Sequence, residues 1–501
     1  LLKEEDDMSV NRISGMVSGL DTESIVKGLM LKYQAKLDKK FQTRTKYEWQ
    51  EAAYREVNKS IASFRSKYLS VLSSTNMMSD SALRNYKVDF SAQTDAVSIS
   101  ASSYANECTL TISEISQLAT APSLKSVNVF KGAAYSSDAK LSEIDMENDF
   151  QFVDGKISFS INGKTFEFTE DTTMGELLNK VNTSGAGVRM TFSSLTKGFT
   201  IQSATTGSSS KIDIVNIAGN AFASENSAFG IAEGVDKYKG KDAVCIIDGV
   251  EVTNSSNTFT YDGITYTLKA ESDAPITFTV SKDLDTTIGK IKSFIDEYNK
   301  LVEDLQNRIK EKVYRSYTPL TETQKKEMSE DDIKLWEEKA KSGLLHGDSY
   351  ISGLLTKLRS AFYTNVGDTG LSPSSIGLNT GIYSDGGKIT IDETKLRKAL
   401  SEDPDKVKSL FLNNGDNFED KGLIVRISDS LLAYTKETTD VALDNLDDLI
   451  KDSKDYEADL VDKMAVKEDA LWRKFAKMEQ ALSKMYSMQS WLSSTFTGMS
   501  S

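Results

Sequence analysis

The chain has 501 residues, length for roughly three or four domains at about 150 residues each, and its 27% charged residues, 39% hydrophobic residues and five prolines suit a soluble chain rich in exposed helix. Sixty basic against 74 acidic side chains leave a net charge of −14, which repels phosphate backbones and anionic lipid and argues against nucleic acid or a membrane as partner. No apolar run approaches the ~20 residues that span a bilayer, and the start lacks a basic region followed by an apolar core, so no cleavable signal is expected.

The first seven residues, LLKEEDD, are polar and precede Met8, the expected translation start. Residues 12–30, RISGMVSGLDTESIVKGLM, open on a stretch punctuated by Gly15, Ser18 and Gly19. A helix follows: Asp21 or Thr22 can cap it, and Ile25, Val26 and Leu29 are expected on one face. The pattern stays helical to about Leu72. Tyr54, Val57, Ile61, Phe64, Tyr68 and Val71 alternate at gaps of three and four, whereas nothing apolar repeats as regularly between Leu37 and Tyr47. The first half of this helix is therefore weakly determined alone and the second half is expected in a bundle.

Past residues 73–80 the period drops to two and a Ser/Thr/Gly-rich β region runs to about Val280. All four tryptophans, Trp49, Trp336, Trp472 and Trp491, lie outside it. Ile157, Phe159 and Ile161 alternate up to Asn162-Gly163, and Phe166 and Phe168 alternate away, which predicts a hairpin with a tight primed turn. Thr173 and Glu176 form a capping box for a short helix carrying Leu177, Leu178 and Val181, followed by strands through Val188, Met190 and Phe192 and through Phe199 and Ile201. A second strand cluster, at 244–252, 264–268 and 276–280, is expected to pair with the segment 108–112. Cys108 and Cys245 both fall in strands; buried free thiols and one bridge between neighbouring strands are both open.

Helix resumes after Thr286 or Thr287, with Ile288, Ile291, Ile295, Tyr298, Val302, Leu305 and Ile309 in the most regular seam of the chain. YTPL at 317–320 interrupts it, and a charged helix with Ile333 and Trp336 follows. A short hairpin lies near Ile389 and Ile391, then helices at 393–400 and up to Phe411, and from Leu423 everything is expected helical to about Leu492. In that run Leu471, Phe475, Met478, Leu482, Met485 and Leu492 mark a heptad seam. Seams at both termini enclosing a non-helical middle imply that the chain ends meet.

Catalytic patterns are missing from the sequence. His346 is the only histidine, and there is no GxSxG, Walker A loop, CxxC, or GxGxxG after a strand. Acidic runs such as 444–448 read as solvated helix faces. No catalytic, cofactor-binding or metal residues are assigned, no cofactor is expected, and the chain is not expected to be an enzyme. The terminal seams carry more apolar surface than they can cover, which marks a polymer contact. The contact residues assigned are Ile13, Leu20, Ile25, Leu29, Leu471, Phe475, Met478, Leu482, Met485 and Leu492.

The opening elements ISG, SGLD, SIV and LM resemble the N-terminus of the flagellar hook-associated protein 2 family, the filament cap. Residues 150–214, with FSINGKTFEF, TMGELLNKVN, SGAGVRMTF and FTIQSATTG, resemble the IN motif of hook and flagellin-like proteins. The segments AVCIIDGVEVTNSSNTFTYDGITYTL, KIKSFIDEYNKLVEDL, YTPLTETQKKEMSEDDIKLWEEKAKSGLL, GIYSDGGKITID and FAKMEQALSKMYSMQSWL are similar to the family's C-terminal region and come in order. The resemblance implies an oligomer of this chain at the flagellum tip, outside the cell, exported through the flagellar type III channel with an export chaperone. Its implied partners are flagellin and the filament end, and its legs are the paired terminal helices. An adhesin using residues 126–240, or a hook-filament junction protein, is the alternative.

The expected fold class is α+β multidomain, with long terminal helices as a coiled coil and a helical bundle body with two nested β-rich inserted domains. A leg helix at 8–45 pairs with 465–501. Residues 46–84 and 284–464 form the helical body, with a small hairpin region near 365–411. Residues 85–125 and 241–283 form one β domain, into which 126–240 is inserted.

Overall fold

The computed structural model describes residues 17–132, 137–367, 371–381 and 387–498. The fold is α+β: an N-terminal helix, a β-rich middle and a long C-terminal helix. In chain order the helices are α1 (Thr22–Tyr68), α2 (Asp80–Leu83), α3 (Met174–Thr183), α4 (Leu284–Lys310), α5 (Glu322–Lys326), α6 (Glu330–Lys341), α7 (Ser349–Tyr363), α8 (Glu393–Glu402), α9 (Pro404–Leu412), α10 (Leu423–Glu437) and α11 (Asp444–Gly498). The chain divides into two compact units, one of residues up to Ala82 with those from Ile288, the other Leu83–Thr287.

In the helical unit the second half of α1 buries Tyr54, Val57, Ile61, Phe64 and Tyr68. The α4 seam buries Ile291, Ile295, Tyr298, Val302 and Leu305, and Phe294 meets the rings of Phe64 and Tyr68 at 5.5 and 5.6 Å. The α1 seam ends at Tyr68 and not at Val71. Ser73 Oγ and Thr75 Oγ1 both donate to the Lys67 carbonyl, which turns the chain out of the helix and leaves Val71 exposed.

The first turn of α10 holds a fully buried arginine. Arg426 donates to the backbone carbonyls of Phe418, Ala361, Thr364, Asn365 and Glu419 at 2.6 to 3.2 Å, tying the C-terminal end of α7 to the loop before α10. Between α10 and α11 the chain does not run as one α-helix: Thr438–Leu443 is a π-helical segment.

The β unit holds two apolar cores. Around one lie a five-stranded antiparallel sheet, ordered Tyr86–Phe90, Ile276–Lys282, Cys108–Gln117, Ala243–Ile247 and Val250–Asn254, and a three-stranded sheet of Thr258–Tyr261, Ile264–Leu268 and Val97–Ala101. Around the other lie a four-stranded sheet of Gly234–Lys239, Lys211–Ala218, Lys156–Ile161 and Lys164–Thr169, a three-stranded sheet of Ser123–Lys125, Gly198–Ser203 and Val188–Ser193, and α3. Three hairpins close on two-residue loops, Asn162-Gly163, Asp248-Gly249 and Asp262-Gly263, with positive φ at both residues. This is the primed geometry that matches strand twist and selects Asn-Gly and Asp-Gly. Thr173 and Glu176 cap α3 reciprocally. Both cysteines are free. Cys245 lies opposite Ile115, seven residues along the strand from Cys108. That is roughly 20 Å at ~3.3 Å per residue, far beyond disulfide reach.

Candidate functional site: the paired terminal helices

The opening motif folds into a turn with a distinct task for each polar residue. Gly19 takes φ +66°, a left-handed conformation that favours glycine. Asp21 then caps α1, accepting from the Ser24 N–H at 3.0 Å and its hydroxyl at 2.6 Å, and the hydroxyl bond first, then the backbone bond, hold its carboxyl below the usual range. Ser18 points the other way and donates its hydroxyl to Glu479 on α11. Glu479 also accepts the backbone N–H groups of Val17 and Ser18 at 3.1 and 3.2 Å. The Ser18 hydroxyl is the main cause of its lowered pKa.

Further along, Arg44 donates to Glu457 at 2.9 Å and to Glu48 at 2.7 Å. Burial pulls its pKa down, but the two carboxylates outweigh burial and raise it. Lys40 lies 4.8 Å from the Tyr456 ring. Numbers fall along α1 as they rise along α11, so the helices are antiparallel. Polar contacts hold the pair together where the sequence shows no apolar repeat.

The apolar seam on α11 runs through buried Leu446, Ile450 and Leu460 to half-buried Met464, Leu471, Phe475, Met478 and Leu482. From α1 it is met by buried Thr22, Val26 and Met30, with Tyr33 and Leu37 half-buried. The expectation that Ile25, Val26 and Leu29 share one face is corrected here. At ~100° per residue Val26 belongs with Thr22 and Met30 on the inner face, and Ile25 and Leu29 are exposed.

The ten assigned contact residues therefore separate. Leu471, Phe475, Met478 and Leu482 lie in the seam, whereas Leu20, Ile25, Leu29, Met485 and Leu492 are exposed, Met485 at 64%. Ile13 lies outside the described residues. Beyond Leu482, Ser483, Ser487, Ser490 and Ser494 line, with Val17, Tyr486 and Trp491, a groove of about 820 Å³. Ser18, Val26, Glu479, Arg44 and Glu457 were not assigned from sequence. The SGLD string was the available signal for Ser18, and the FAKMEQAL string for Glu479; neither string singles out the residue within it.

Among the described residues no group of three or more His, Cys, Asp or Glu is placed to hold a metal ion. His346 is exposed, with Nδ1 2.9 Å from the Glu311 carbonyl, a loop-closing contact. No helix among the described residues is long and apolar enough to cross a membrane.

An antiparallel pair of terminal helices with exposed apolar side chains, in a chain interrupted by a β-rich unit, defines the class: a multidomain protein whose candidate site is a helical contact surface rather than a pocket. Residues 18–122 match the family model described as flagellar hook-associated protein 2 N-terminus, and residues 240–487 match that of its C-terminus. The flagellar hook-associated protein 2 of Halalkalibacterium halodurans is 31% identical over 430 residues, 80% of this chain and 78% of that protein. That of Thermotoga maritima is 28% identical, covering 70% of this chain and 56% of that protein. The D1-D2-D3 domains of the flagellar cap protein FliD from Escherichia coli share the fold, with a TM-score of 0.52 at 19% identity over 80% of this chain and 99% of that one. The chain belongs to the flagellar hook-associated protein 2 family.

Proposed function

We propose that this chain caps the growing tip of the bacterial flagellar filament, assembles there with copies of itself, and assists the insertion of flagellin subunits. Family membership supports the capping role. The observation that carries the contact mechanism is the apolar surface left uncovered on the terminal pair: Leu20, Ile25 and Leu29 on the α1 side, and Met485, Trp491 and Leu492 on α11. Exposed aliphatic and aromatic groups at a helix pair are suited to packing against the helices of another subunit.

In this reading the contact set is Ile13, Leu20, Ile25, Leu29, Leu471, Phe475, Met478, Leu482, Met485 and Leu492. Residues 8–45 and 465–501 act as legs, 46–84 and 284–464 as the body, and 126–240 as a β domain inserted between 85–125 and 241–283. The work is mechanical and not enzymatic. Export through the flagellar type III route, with a chaperone, brings the chain to the tip. The test is Leu482→Asp combined with Met485→Asp in a motile cell. The expected result is loss of filament growth and release of the chain into the medium; unchanged growth and cap retention would overturn the reading.

A further inference from the structure

The sequence contains two Asn-Gly pairs, Asn162-Gly163 and Asn414-Gly415. A glycine has no side chain to shield its backbone nitrogen, so that nitrogen can approach the Cγ of a preceding asparagine. The fold treats the two pairs differently. Asn162 sits in a hairpin turn with its side chain pinned: Nδ2 donates to the Ala186 carbonyl at 2.8 Å, and Oδ1 accepts the Asp213 N–H at 2.9 Å. Its Cγ turns toward Gly163 only after both bonds break.

Asn414 is exposed, just past α9 in the loop that leads to α10. Among the described residues neither its side chain nor the Gly415 N–H has a hydrogen-bond partner. The loop is anchored on both sides of the pair. Before it, the Asn413 carbonyl accepts the Gly422 N–H at 2.7 Å, and Asn413 Nδ2 donates to the Asp420 carbonyl at 2.6 Å. After it, the Phe418 and Glu419 carbonyls accept from Arg426 at 2.7 and 2.8 Å. Gly415 also packs tightly, since a Cβ on it would lie 2.3 Å from the Asp420 Cβ.

We propose that Asn414 is a self-modification site, converted with age to aspartate and isoaspartate by attack of the Gly415 nitrogen on its side chain. The Gly415 nitrogen bonds to Asn414 Cγ, and the side-chain nitrogen leaves with the Gly415 proton as ammonia, which closes a cyclic imide. Water then cleaves the Gly415 nitrogen from Cγ, restoring the main chain with aspartate, or from the backbone carbonyl carbon, leaving Gly415 linked through Cγ as isoaspartate. One water is consumed for each ammonia released, and nothing is oxidised or reduced. Either product adds a negative charge beside Asp416, Glu419 and Asp420. Isoaspartate also lengthens the main chain by one carbon between the Asn413 anchor and Gly415, which has no room to yield against Asp420. The strain falls on the Asn413 bonds and loosens the loop that presents two carbonyls to Arg426. This inference is independent of the capping role.

The experiment ages the full-length chain in neutral buffer made with oxygen-18 water and follows peptides covering 156–164 and 409–421 by mass spectrometry. Asn414 is expected to convert, with uptake of the heavy oxygen, about thirtyfold faster than Asn162, whose two hydrogen bonds must break first. Equal rates, or faster conversion of Asn162, would overturn the proposal. In denaturant both pairs lose their surroundings and should react at similar rates; a gap that persists there removes the fold as its cause. Asn414→Gln closes its ring far less readily and should leave the second peptide unmodified, so a product that remains would place the reaction at another residue. For the consequence, the isoaspartate form is separated by its extra charge. Its Gly422 amide should exchange about fivefold faster than in Asn414→Gln, and an unchanged rate would overturn the loosening of the loop.

Discussion

Val26→Ala tests whether the inner face of the terminal pair has been correctly identified. Val26 is 1% exposed and faces α11 near one end of the pair. Removing two methyl groups costs about 1.6 kcal/mol at ~0.8 kcal/mol each. Alanine returns about 0.6 kcal/mol through its better helix propensity. The net loss of about 1 kcal/mol raises the population of the locally opened helix about fivefold. Amide hydrogen exchange resolved along the chain reads this directly. Residues 22–36 should exchange about fivefold faster, while the α1 segment around buried Val57 and Ile61 keeps its rate. Ile25→Ala, at an exposed neighbour, should leave exchange unchanged or slightly slower. A larger effect from Ile25→Ala than from Val26→Ala would refute the assignment.

Arg426→Met deprives five backbone carbonyls of their buried donor and should destabilise the helical unit by about 3 kcal/mol; a denaturant midpoint corresponding to less than about 1 kcal/mol would rule out this role, and Arg426→Lys should recover only part of the loss. The Glu479 carboxyl has a lowered pKa, so its contribution is fully present above the ordinary 4.5 and is lost as pH falls through the folded-state value. Protection of the Val17 and Ser18 amides should therefore hold at neutral pH and collapse in acid, with Glu479→Gln weak at every pH; an acid response unchanged by Glu479→Gln would sink this linkage. A thiol reagent on the native chain should label Cys108 first, because Cys245 is buried and its thiol is pushed up to about 11; equal labelling rates would contradict the packing of that strand.

Local patterns in the sequence carried much of the architecture. The α4 seam, the Thr173–Glu176 capping box and the Asn-Gly and Asp-Gly hairpins depend on residues within a turn or two of each other, where spacing alone constrains geometry. Val71 shows the limit of periodicity: the three-four alternation continues past the point where the Ser73 and Thr75 hydroxyls end the helix. The polar joints of the candidate site were not legible. Ser18 and Glu479 are 461 positions apart, and Arg44 and Glu457 are 413 apart. In a chain with 74 acidic residues nothing local distinguishes these two carboxylates. Arg426 leaves even less trace, because its partners are backbone carbonyls, which every sequence has.

The π-helical segment Thr438–Leu443 limits how this chain can change in length. The buried residues Tyr434, Thr438, Ala442 and Leu446 step by fours, a spacing that outruns 3.6 residues per turn. The wider π turn absorbs the excess and keeps Leu446, Ile450 and Leu460 aimed at α1. It is a phase shifter between two helices, and removing one residue from it would index all of α11 by about 100°. A β hairpin elsewhere can gain or lose a residue at its tip with local effect, but here six residues set the rotational aim of the fifty-five that follow.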